Sequence, residues 1–336
     1  MHARRVGRHG LTVSRIGLGT MTWGRDTDAE DAADQLRTFL DAGGTLVDTA
    51  ASYGDGDAER VIGALTGGAP GAGRVVAREE LVLASKAGVV RHAPDRRVDV
   101  SRRGLLDALD ATLARLRTDH VDLWQVHTWS DEVPLTETLA ALDVAVATGR
   151  ARYVGVSNYT GWQTGAAAAW QAAWPGRAPL VSTQVEYSLV ARGVEREVLP
   201  AAAACGLGVL AWSPLGRGVL TGKYRTGVPA DSRAAAPHLA GWVEPYLTGR
   251  PRQVAEAVVT AADGLGRAPV EVALAWVRDR PGVTSAIVGA RTAAQLRGSL
   301  GAEELTLPDP IRRALDDVSD PTGGGLADGP VTRGAR

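Results

Sequence analysis

The chain has little cysteine, little net charge and no long apolar run. Its one cysteine, Cys205, excludes an internal disulfide and any zinc site built on several thiolates. So few thiols suit a reducing compartment, and a cytoplasmic protein is expected. Lys and Arg number 37 and Asp and Glu 38, a formal net charge of -1. Such a chain offers no net attraction to nucleic acid or an anionic membrane, so neither is an expected partner. No apolar segment reaches the roughly 18 residues of a membrane span. The alanine runs at 166–169 and 201–204 are short and read as amphipathic. The opening MHARRVGRHG lacks the apolar stretch of a secretory signal. No G-x-G-x-x-G occurs, which removes the usual fingerprint of a doubly wound dinucleotide-binding sheet. No H-E-x-x-H or similar ligand spacing occurs, so no metal is expected.

What is present is a rhythm. Of the 336 residues 45% are hydrophobic, enough for a well-buried core. Length alone would allow two domains, but α/β barrels often fill this range as one. Short apolar runs occur at 15–19, 45–48, 81–86, 121–127, 153–157, 180–186, 208–213 and 285–289. Helical patterns separate most of them. The clearest is 101–116, with Leu105, Leu109, Leu113 and Leu116 at helical spacing. Thr27 and Glu30 predict a capping box at the first helix, and Thr292 and Gln295 one after the last strand. Eight strand-like runs separated by helices predict a single-domain (β/α)8 TIM barrel, with the open doubly wound sheet as the alternative. Residues 4–13 predict an N-terminal hairpin turning at His9-Gly10 and plugging the barrel bottom. Residues 222–252 predict a long loop, either functional or disordered. Two extra helical patterns, 252–265 and 269–279, precede the last strand. The glycine cluster at 67–73 reads as a surface loop. The expected barrel domain is 1–318 and the expected flexible tail 319–336.

The barrel prediction gives the strand ends a meaning, because the C-terminal ends of the strands build the functional face. Asp48 ends the second run, Lys86 the third and His127 the fourth. Tyr53 lies in the loop after Asp48. Each residue alone has a plain structural reading as a cap or a packing group. Together they make a constellation. A free phenol titrates near pH 10, too high for an efficient acid at neutrality. A nearby ammonium favours the phenolate and corrects this. A buried lysine needs a carboxylate to keep its charge. Hence Tyr53 reads as a proton donor, tuned by a Lys86–Asp48 pair, with His127 orienting a carbonyl oxygen. Such groups would titrate as a coupled set. The other histidines, at 2, 9, 92, 120 and 238, fall in predicted loops or termini and receive no role. Ser157-Asn158 ends the fifth run, Gln184 and Glu186 the sixth, and Trp212-Ser213 the seventh.

These pieces resemble the aldo-keto reductase superfamily. In order they are RIGLGTMTWG (15–24), LVDTAASYG (46–54), LVLASKAG (81–88), DLWQVHTW (122–129), ARYVGVSNY (151–159), TQVEYS (183–188), AWSPLGRGVLTGKY (211–224) and SAIVGARTAAQL (285–296). They cover about residues 4–318 and look most like the bacterial aryl-alcohol-dehydrogenase-like and potassium-channel-β-subunit-like branches. The resemblance implies an (α/β)8 barrel and NADPH-dependent reduction of an aldehyde or ketone. It places the catalytic tetrad on Asp48, Tyr53, Lys86 and His127. It implies that Ser157, Asn158 and Gln184 hold the nicotinamide carboxamide, that Trp212 stacks on the ring, and that Thr20 and Met21 border it. Ser213, Pro214, Leu215, Gly216 and Gly218 would wrap the pyrophosphate, with Lys223 and Arg233 adding positive charge. Gly289, Arg291, Gln295 and Ser299 complete the implied cofactor set, Arg291 facing the 2′-phosphate of NADP. Trp23 and Trp129, with Tyr53 and His127, would meet the substrate, and Trp242 is a further pocket candidate. In one departure, Gly298-Ser299 stands where the family often has Glu-Asn against the adenosine. A cofactor-sensing regulator and an isomerase using Lys86 or His127 as base are the rival functions. The substrate and the oligomeric state are not legible.

Overall fold

A computed structural model describes residues 1–67, 75–92 and 95–321. The eight apolar runs all form strands: β1 (Ile16–Gly19), β2 (Leu46–Asp48), β3 (Val82–Ala87), β4 (Val121–Val126), β5 (Ala151–Ser157), β6 (Leu180–Glu186), β7 (Gly208–Trp212) and β8 (Val283–Val288). They pair in parallel and in sequence order, and β8 closes onto β1. The (β/α)8 barrel is therefore the observed architecture, and the open sheet is excluded.

Alternation along each strand decides what faces the barrel interior. Leu46, Ala84, Leu123, Leu210 and Ile287 pack together inside. Two residues further on lie Asp48, Lys86, Gln125 and Trp212, near the C-terminal rim. The opposite strand faces, with Ile16, Leu18, Val47, Leu83, Trp124 and Val154, pack against the helices. In the helix Arg102–Leu116 the four periodic leucines are all buried, and Ser101 caps it by accepting from Gly104 N at 3.1 Å.

The predicted N-terminal hairpin forms from Ala3–Arg5 and Thr12–Ser14. Its tight turn sits earlier than expected, over Val6–His9. Gly7 takes the left-handed φ of +59° there, and a Cβ on it would lie 2.2 Å from Gly206 O. Val6, Leu11 and Val13 join the interior cluster, so the hairpin does close the bottom. The long 222–252 segment is less bare than expected, because it contains a helix at Pro237–Val243 and a 3-10 turn at Glu244–Tyr246. His238 thus lies on a helix, not in a loop. Helices Gly249–Leu265 and Pro269–Arg278 precede β8, and Asp309–Ser319 follows the last βα unit. A second hairpin, Val89–His92 with Asp95–Val98, follows β3 and was not expected. The expected glycine loop, apart from Gly67, and the tail beyond 321 lie outside the described residues. No helix among the described residues is long and apolar enough to cross a membrane.

One predicted capping box does not form. Thr27 is buried and gives its hydroxyl to Thr22 Oγ1 at 3.0 Å. Asp28 caps the first helix instead, accepting from Asp31 N at 2.9 Å. The other box forms by half. Thr292 Oγ1 accepts from Gln295 N, but the Gln295 side chain accepts from Arg291 N at 3.0 Å.

Candidate active site

Three neighbouring strands bring the titratable residues together. Lys86 Nζ donates to Asp48 Oδ2 at 2.7 Å and to Thr49 O at 2.8 Å. Both side chains are almost wholly buried, at 1% for Lys86 and 3% for Asp48. Burial is the largest single influence on Lys86 and would lower its pKa. The Asp48 charge, and the Tyr53 side chain by charge and hydrogen bond, outweigh it, so the lysine is raised above its ordinary value. The ammonium sits 5.1 Å from the centre of the Tyr53 ring. That ring is held by the turn after β2, where Tyr53 N donates to Ala50 O and Ala51 N to Lys86 O. His127 meets Tyr53 edge-on, with ring centres 6.1 Å apart. Its backbone N–H donates to Ala87 O at 2.8 Å. The four residues read as a constellation are thus neighbours in space.

The adjoining polar groups form a continuous frame. Gln184 Nε2 donates to the second Asp48 oxygen, Oδ1, at 2.8 Å. Thr20 Oγ1 donates to Asp48 O at 3.1 Å. Ser157 Oγ donates to Gln184 O at 2.9 Å. Asn158 takes a left-handed φ of +58°. From there its Nδ2 donates to His127 O at 2.9 Å, while its Oδ1 accepts from Trp212 Nε1 at 3.0 Å. Trp212 lies nearly parallel to Trp242, at 18° and 6.4 Å.

Past β7 the chain turns through positive φ at Ser213, Gly216, Arg217 and Gly218. Gly218 backs onto Lys223, whose Nζ would be 3.3 Å from an added Cβ, and Gly289 lies as close to Arg233 Nη2. Arg291 reaches the same region and donates to Asp231 Oδ2 at 3.1 Å. Desolvation, then the Arg233 and Arg291 charges, hold Lys223 below its ordinary value. Three neighbouring cations beside two glycines fit an anionic phosphate. This is also the barrel position where phosphates commonly bind, after strands 7 and 8. Met21 follows β1, and Pro214 and Leu215 follow β7, at the same C-terminal rim. Ser299 is buried further out and turns its hydroxyl back to Gln295 O at 3.2 Å.

Trp23 requires a correction. The 22–27 loop folds back on itself, with Trp23 N donating to Thr20 O and Gly24 N to Thr27 O. This sends the indole inward, where it is fully buried and donates to Gln35 Oε1 at 3.1 Å. It is a core residue, not a pocket wall. Trp129, two residues past His127, lies edge-on to Tyr159 and Trp162.

Two groups escaped the sequence reading. Glu59 is wholly buried and accepts from Ser85 Oγ at 2.6 Å, Thr112 Oγ1 at 3.0 Å and Arg115 Nε at 2.7 Å. It ties the helix behind Tyr53 to β3, one residue from Lys86. The signal was available: Glu59 shares a helical face with Ile62 and Thr66 in Asp57–Thr66, all three buried. The second is Arg217, which binds Glu186 through both ends, at 3.0 and 2.7 Å. Its guanidinium lies over the rings of Trp242 and Tyr246, at 4.4 and 4.7 Å. It also donates to Trp242 O. Nothing in the local sequence pointed to it.

Residues 15–320 match the model of the aldo/keto reductase family. An uncharacterized oxidoreductase, YrpG, of Bacillus subtilis is 37% identical over 95% of this chain and 96% of its own length. A probable voltage-gated potassium channel subunit beta of Arabidopsis thaliana is 32% identical, covering 91% and 92%. The L-glyceraldehyde 3-phosphate reductase of Escherichia coli is 33% identical, covering 90% and 87%. The chain belongs to the aldo/keto reductase family, whose enzymes reduce small carbonyl compounds with NAD(P)H.

Proposed function

We propose that the chain is an NADPH-dependent reductase of an aldehyde or ketone, with Tyr53 as the general acid. One observation carries this reading: the buried Lys86 ammonium is fixed on Asp48 at 2.7 Å while lying against Tyr53. A cation in that place stabilises the phenolate left when Tyr53 gives its proton to the carbonyl oxygen. Asp48 keeps the lysine charged. His127, set edge-on to the phenol, orients the same oxygen. A bound NADPH would supply the hydride to the carbonyl carbon. Ser157, Asn158, Gln184 and Trp212 would hold its nicotinamide end, and the 213–218 turn with Lys223 and Arg233 its diphosphate. Arg291 would pair with the 2′-phosphate and favour NADPH over NADH. The cytoplasm as its compartment, and 1–318 as the folded unit, belong to the same proposal.

The cofactor preference has a direct test. Arg291→Ala is expected to raise KM for NADPH about tenfold or more, the worth of a charged hydrogen bond, and to leave KM for NADH nearly unchanged. Equal losses for both cofactors would remove Arg291 from that role. The likeness to plant channel subunits supports a second reading, a cofactor-sensing partner protein. Tight NADPH binding with no turnover on any carbonyl, together with a stable protein partner, would select it.

A further inference from the structure

The helix Gly161–Ala172 has an unusual outer face. A helix on a barrel surface normally turns charged side chains to solvent. Here residues 161–176 carry no charge at all, in a chain of which 22% is charged. The alanine run within it reads as amphipathic from sequence, yet its exposed side is apolar too. Trp162, Trp170 and Trp174 are 61%, 38% and 64% exposed. Trp162 and Trp170 follow an i, i+4 row through the exposed Ala166, and Trp174 lies just past the helix end. Ala169 and Ala173 are exposed beside them. The helix packs closely on Val198–Cys205, which is also uncharged and exposes Pro200, Ala203 and Ala204. The two helices therefore present one apolar surface of large knobs and small hollows.

We propose that this face is a two-fold interface with a second copy of the same chain. Three features favour that occupant. First, the face is self-complementary. In an antiparallel pairing the tryptophans of one copy meet the alanine hollows of the other, ridge into groove. Second, Glu197 and Arg177 place opposite charges at the two ends. Glu197 lies against Gly161 at the helix start, where an added Cβ would sit 2.7 Å from its own Cβ. Arg177 lies beyond the helix end, stacked on Trp170 at 4.4 Å and donating to Trp170 O at 2.9 Å. Among the described residues neither Glu197 nor Arg177 has an ion-pair partner. Antiparallel pairing brings Glu197 of each copy to Arg177 of the other. Third, the area suffices. The exposed parts of three tryptophans amount to about 400 Å², roughly half of one partner's share in a standard interface, before the alanine and proline surface is added.

The test is the mass in solution, by sedimentation velocity over a wide concentration range. The wild-type chain is expected at twice the chain mass. Trp170→Glu with Trp174→Glu should weaken association at least about thirtyfold, the loss of a central tryptophan hot spot. The far-UV spectrum should not change. Trp162 is left intact because it touches Trp129, two residues past His127. The charge pair gives a second reading that does not disturb the apolar face. Glu197→Arg and Arg177→Glu should each weaken the dimer, and the two together in one chain should restore it. A wild-type chain that stays monomeric throughout would overturn the proposal. So would a dimer that survives the tryptophan changes, or a doubly reversed chain no tighter than the single ones.

Discussion

Lys86 shows how one buried charge can organise a site. Burial alone would strip its proton, yet its pKa is raised, so the Asp48 and Tyr53 contacts win. The sign of the pH dependence follows. A folded value above the unfolded one means that the pair's contribution to stability is complete below the ordinary lysine value of 10.5. It is lost only as pH rises through the higher folded value. Lys86 therefore stays charged across the neutral range. In Asp48→Asn burial is no longer opposed by a carboxylate. The lysine should then titrate below its ordinary value, and the alkaline limb of the rate profile should move to lower pH. Urea denaturation should show a loss of about 3–5 kcal/mol, the cost of breaking a buried pair. An unshifted rate profile would separate Asp48 from the tuning of Lys86. The placement of Asp48, Lys86 and His127 was legible because each ends an apolar run, where a polar side chain needs a reason. Trp23 was misread at the same scale. An aromatic beside a strand end serves core and pocket equally well, and only the fold of the 22–27 loop decides.

Between elements the governing contacts are long in sequence, and there the sequence reading was weakest. Glu186 and Arg217 are 31 residues apart, one at the end of β6 and the other in the 3-10 segment Gly216–Thr221 that follows β7. Their pairing depends on the parallel register of β6 on β7, not on any local pattern. The pair fixes Trp242 and Tyr246 to the rim, and Trp242 in turn lies on Trp212. Replacing Arg217 by Leu leaves Glu186 uncompensated and frees the 237–246 segment. Amide exchange in that segment should accelerate, and KM for the cofactor should rise more than kcat falls. Unchanged exchange would show that the helix is held by other contacts. Glu59 acts similarly behind Tyr53. Glu59→Leu leaves Arg115 without its carboxylate, with an expected cost of about 3–5 kcal/mol in urea denaturation. A smaller cost would show that Arg115 finds solvent without strain.

The whole molecule is a barrel closed at one end by its own N-terminal hairpin. The eight strands were readable as apolar runs, because both faces of a parallel strand are covered in such a fold. The hairpin's turn was misplaced by the His9-Gly10 pair, since the tight approach to Gly206 falls at Gly7. Leu11→Ala removes a side chain from the bottom plug and should cost about 2–4 kcal/mol. Carbonyl reduction should stay intact well below the melting range, because the plug lies at the end opposite the tetrad. Parallel pairing of three successive strands also brings Asp48, Tyr53, Lys86 and His127, spread over 80 residues of sequence, into one site. The most direct test of that claim compares wild type and Tyr53→Phe in two measurements on the same samples: NADPH binding by fluorescence titration, and NADPH oxidation with aromatic and aliphatic aldehydes. The account predicts equal binding, with turnover lower in the variant by about 100-fold to 10,000-fold, the worth of a positioned general acid. Full turnover in Tyr53→Phe would contradict it.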